Sequence, residues 1–69
     1  MARVETEVVS LVCRLANALM IRTQDYERQT SLRAEGARAL LGDAMHFAEV
    51  HRDAGEPHPL SALRAWLTT

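Results

Sequence analysis

The chain has 69 residues, a formal net charge of −1, 48% apolar residues and one cysteine. A chain this short holds one domain, and such a domain buries only about 60% of the surface its unfolded form exposes, so its stability margin is thin. A single cysteine excludes an internal disulfide, and 8 arginines set against 9 acids exclude a strong pull toward nucleic acid or an anionic membrane, which leaves a metal or a partner chain as the staple.

Association suits this composition better than a metal. Eleven alanines against three aromatics, Tyr26, Phe47 and Trp66, predict a thin core between closely approaching helices. The opening MARVETEVV carries acids early and does not read as a secretory leader. The run VVSLVCRLANALMI, residues 8–21, is too short to span a bilayer and is interrupted by Arg14 and Asn17. A cytoplasmic location without membrane association is the expectation.

The first helix is predicted over about 3–29. At 100° per residue its apolar side chains, from Leu11 through Leu15, Val8, Leu19, Val12 and Ala16 to Cys13, fill an arc about 200° wide, against the roughly 100° that one buried side requires. The helix therefore needs two neighbours. Val8, Val12, Leu15 and Leu19 are the residues assigned to self-association. Thr6, Glu7, Ser10, Arg14, Asn17 and Gln24 fill the polar side, where Ile21 stands alone, and Glu5 and Glu7 suit the positive end of the helix dipole.

The stretch YERQTSLRAEG, residues 26–36, decides between a hairpin and one long rod. Thr23, Asp25, Thr30 and Ser31 are turn or cap types and favour the hairpin, with Thr30 or Ser31 capping the next helix. A continuous helix would instead set Arg22, Tyr26, Gln29 and Arg33 into an apolar seam at heptad-like spacing.

A second helix follows over about 31–53, with Leu40, Leu41, Phe47, Met45 and four alanines in one arc. Its stop signals are His51 and Arg52, then Gly55 and Pro57. After a loop at 54–58, a third helix is predicted over about 59–67, with Pro59 at its first position and Leu60, Leu63, Trp66 and Leu67 on its apolar side. About ten residues cannot hold a helix alone, so it must dock.

Candidate chemistry is sparse. His46 and His51 are five apart, which turns the two imidazoles away from each other where a zinc-protease helix needs a spacing of four. Asp43, His46 and Glu49 could form a surface cluster in a metal-binding helical bundle; a solvated charged face is the plainer reading. His51 falls in the apolar arc and reads as a half-buried structural residue, and His58 as part of a loop and cap. Cys13 lies in apolar surroundings that do not activate a thiol. No pattern here requires a cofactor or points to catalysis.

Two surfaces remain for a partner: Trp66 with Leu63 on the third helix, and the arginines Arg22, Arg28, Arg33 and Arg38 around the turn. With Tyr26 as a stacking group, that basic end could serve RNA or DNA, although Asp25, Glu27 and Glu35 dilute it. The resulting expectation is an all-α helical hairpin with a short third helix that dimerises into a four-helix bundle. Its expected function is that of a non-enzymatic protein-interaction module such as a regulator, adaptor or chaperone-like subunit. A nucleic-acid-binding regulator and a metal-binding bundle are the rivals.

Overall fold

The computed structural model describes residues 5–52, 55 and 58–69, and contains three helices and no strand among them: α1 (Thr6–Thr30), α2 (Glu35–His51) and α3 (Ser61–Leu67). The start of the first helix at residue 3, and residues 53, 54, 56 and 57 near the predicted end of the second, lie outside the described residues.

Hydroxyls that read as turn formers are absorbed into α1. Thr23 is buried, and its Oγ1 donates to the Leu19 carbonyl at 2.7 Å, while Thr30 Oγ1 donates to the Tyr26 carbonyl at 2.8 Å. Both bonds run back four residues, a pattern that satisfies the hydroxyl without breaking the helix.

Ser31 ends α1 by entering the left-handed region at φ 59°, with its N–H donating to the Glu27 carbonyl at 2.8 Å. A non-glycine residue there costs on the order of 1 kcal/mol. Hydrogen bonds offset that cost: Thr30 Oγ1 accepts the Leu32 N–H at 3.2 Å, and the Glu27 carboxylate accepts the Ala34 N–H at 2.8 Å. So α1 and α2 form a hairpin, not a rod.

The prediction that Thr30 or Ser31 caps the second helix is corrected. Both residues serve the end of α1, and Ala34 occupies the N-cap of α2 with no acceptor of its own. Glu27, reaching across from α1, accepts the N–H of Ala34 itself and so fixes the entry to α2. The start of α3 is also corrected: Pro59 precedes it, and Leu60 is its N-cap, held outside helical geometry with its N–H on His58 Nδ1 at 3.0 Å. Gly55 has φ 88° but stands three residues past the Arg52 C-cap, so it follows the end of α2 without closing it.

Ala16, Met20, Leu41, Ala48, Leu60 and Leu63 form the buried core, and Cys13, Leu19, Ala44, Met45, Trp66 and Leu67 pack on it. Two alanines among six core residues let the backbones of α1 and α2 approach closely. Across the hairpin, α3 packs mainly against α2. It lies on the flank of α2 that carries Arg38, whose guanidinium carbon sits 4.2 Å from the centroid of the Trp66 ring.

Leu40 comes two residues after Arg38, about 200° further round the helix. It therefore faces away from α3. The hairpin is a two-helix layer covered on one flank and open on the other, with extents of 42 × 21 × 16 Å.

Candidate functional site

On the open flank, Val8, Leu11, Leu15 and Leu40 are exposed, Leu15 by 61% and Leu40 by 59%. Between α1 and α2 on this side runs a groove of about 190 Å³ lined by Val12, Leu15, Ala16, Leu19, Leu40, Leu41 and Ala44. No side chain in that lining carries a charge or a hydrogen-bonding group. Of the four residues assigned to self-association, Val12, Leu15 and Leu19 line the groove, and Val8 is exposed one turn beyond. Leu11 and Leu40 extend the same surface.

The third-helix surface is different. Leu63 is fully buried, so its assignment to a partner surface is corrected: it anchors α3 to its own chain. Trp66 is half-buried against the core and beneath Arg38. His51 is corrected in the other direction, being exposed, with its ring 4.5 Å from that of Phe47.

Around the turn, the arginines are largely engaged. Arg28 pairs with Asp25, and Arg33 pairs with Glu35 at 2.7 Å. Arg38 grips both oxygens of Glu27, Nε to Oε2 at 2.8 Å and Nη2 to Oε1 at 2.7 Å. That planar fork matches a carboxylate with two parallel bonds. Arg22 is exposed at the edge of the open flank, and no ion pair among the described residues uses it.

Glu27 therefore ties three pieces together, since the guanidinium it holds also covers Trp66. The paired bonds from Arg38, then the Ala34 N–H, hold the Glu27 carboxyl below its ordinary value of 4.5, at about 2. A carboxyl whose folded value is depressed binds protons more readily in the unfolded chain, so it stabilises the fold above pH 4.5 and loses that effect as pH falls toward 2. Wild type is thus expected to exceed Glu27→Gln in urea midpoint at pH 7, with the gap closing between about pH 4.5 and 2. A gap constant over that range would mean that charge at Glu27 contributes nothing.

This clamp was not among the sequence-derived sites. A signal for it exists: residues 27 and 38 are equidistant from the centre of the turn, so an antiparallel hairpin sets them opposite each other. Acid and arginine at mirror positions can be read once the turn is fixed.

A polar cleft of about 280 Å³ lies where α2 meets α3, lined by Met45, His46, Glu49, His58 and Arg64. Glu49 is turned toward His58 Nε2 at 2.9 Å and Arg52 at 3.3 Å. Since His58 Nδ1 accepts the Leu60 N–H, the proton of the neutral ring is on Nε2, facing Glu49. His58 is thus a structural strut between α2 and α3. Asp43 and His46 are exposed, and among the described residues no three side chains are grouped as a metal site.

Burial pushes the Cys13 thiol up from its ordinary value, which disfavours the nucleophilic thiolate. Among the described residues no helix is long and apolar enough to cross a membrane. Compared with known protein families, characterised proteins and solved structures, the chain matches none of them.

Proposed function

We propose that this chain is a small non-enzymatic protein-interaction module of the cytoplasm that works as a homodimer, two hairpins packing their open flanks together into a four-helix bundle. The open apolar flank carries the reading. Leucines exposed by about 60% on one contiguous face lose hydrophobic stabilisation that a second apolar face restores, at about 25 cal/mol for each Å² covered.

Area supports the same partner. The whole chain, both ends included, exposes 5224 Å², where a compact monomer of 7.7 kDa is expected to expose about 4,300 Å². An elongated hairpin with one flank open thus exposes more than a compact chain of its mass. Shape agrees, since the radius of gyration is 12.9 Å against about 11 Å for a compact chain of this length. A second copy packed on the open flank would cover part of the first excess.

Once two flanks are joined, the outward surfaces are the turn, with its paired arginines, and the polar cleft beside α3. A regulator or adaptor would present these to its target. Sedimentation equilibrium of the native chain over a wide concentration range is expected to give twice the chain mass of 7.7 kDa. A folded monomer at every concentration would remove the reading.

A further inference from the structure

We infer that the second copy docks antiparallel, α1 on α1, crossing near Leu15, and that Arg22 of each copy pairs with Glu7 of the other; this rests on the dimer reading above. Along the open side of α1 the residues Val8, Leu11, Leu15, Ala18 and Arg22 recur at alternating spacings of three and four, the repeat of a helix–helix seam. All five are exposed. Four are apolar and the fifth is a cation.

An arginine in such a seam selects geometry, because its charge must find a partner when neighbours exclude water. Parallel pairing of two α1 helices in register would set Arg22 against Arg22. Antiparallel pairing about Leu15 sets position 22 opposite position 8, with Glu7 adjacent, a rise of only about 1.5 Å away. Glu7, like Arg22, is exposed and enters no ion pair among the described residues.

The same crossing brings Leu11 opposite Leu19 and Leu15 onto its own copy. Moving it one turn to residue 11 carries Arg22 past Thr6 of the other α1. Moving it to residue 19 puts Arg22 opposite Ala16, among apolar groups. Only the crossing near Leu15 joins the apolar residues and the charges together. The pair forms twice across a two-fold axis, so any error in charge is also doubled.

Two measurements test the geometry. A nitroxide on Arg28→Cys in a Cys13→Ala chain, dimeric by sedimentation, is expected to give a label-to-label separation of roughly 40 Å, twice the thirteen-residue rise from the crossing. If α1 of one copy packed on α2 of the other, the two α1 helices would run parallel and the separation would be about 15–25 Å, which would overturn the antiparallel assignment while leaving the dimer intact.

For the charges, Arg22→Glu is expected to raise the dimer dissociation constant about tenfold, and adding Glu7→Arg to bring it back within about threefold of the native value. Failure of the second substitution to restore binding would overturn the pairing. A native chain that is monomeric throughout would overturn the dimer itself, and the orientation with it.

Discussion

Leu15→Asp is expected to yield a folded monomer. In the single chain Leu15 is 61% exposed, so an aspartate there meets water, and the cost to the helix is at most about 0.7 kcal/mol of intrinsic propensity. In the proposed dimer the same position would lie at the crossing, where two carboxylates would face each other in an apolar layer. Each copy would forfeit leucine burial and incur the desolvation of an unpaired charge, several kcal/mol together.

The dissociation constant should therefore rise by about a thousandfold or more. Sedimentation and far-UV circular dichroism read the two consequences separately: halved mass, unchanged helix content. Ser10→Asp, on the polar side of α1, serves as the control and should leave the mass unchanged. An unaltered mass for Leu15→Asp would place the interface elsewhere. Loss of helix would mean that Leu15 belongs to the core of the single chain.

The width of the first apolar arc carried this information in the sequence. One side of it, at Ala16 and Met20, is the buried core, its middle, at Val12 and Leu19, lines the groove, and the opposite side, at Leu15, Leu11 and Val8, is the part that no described helix covers. Periodicity gives the direction of a side chain from the helix axis, and a stripe too wide for one neighbour announces a missing one. It does not say whether anything stands in that direction. His51 shows the limit: its phase places it with Ala37, Ala44 and Leu41, yet in the last turn of α2 it is exposed.

The turn was legible in kind and not in detail. Cap-forming types at residues 30 and 31 marked it, but they close α1, and the entry to α2 is held by Glu27, which accepts the Ala34 N–H from seven residues earlier. Local rules rank residues by what they do for their own helix end, so a bond supplied by the neighbouring helix is invisible to them. Arg38 was hidden for a related reason. As one of four arginines near a turn it looked like part of a basic end, whereas its carboxylate is eleven positions away and its aromatic partner twenty-eight. Both contacts exist only after the hairpin closes and α3 docks.

That docking gives the second large effect, for Leu63→Ala. Leu63 is fully buried and α3 has only 7 residues, too few to persist without its anchor. Removing three carbons from such a site costs about 2–5 kcal/mol in lost transfer energy and residual cavity. A domain of this size holds only a few kcal/mol in total, so the variant should lose a large part of its stability.

Trp66 reports which part is lost, because it is the only tryptophan in the chain and lies on α3 beneath Arg38. If α3 detaches while the hairpin survives in the dimer, tryptophan emission shifts to the red at low urea and the helical signal falls later, in a separate transition. If the three helices melt together, both signals move at one lowered midpoint. Emission and midpoint both unchanged would mean that Leu63 does not anchor α3. The separate transition is the expected one, since α3 packs mainly on α2 through Leu60, Leu63 and Trp66, while the open flank, where the second copy is proposed to dock, faces the other way.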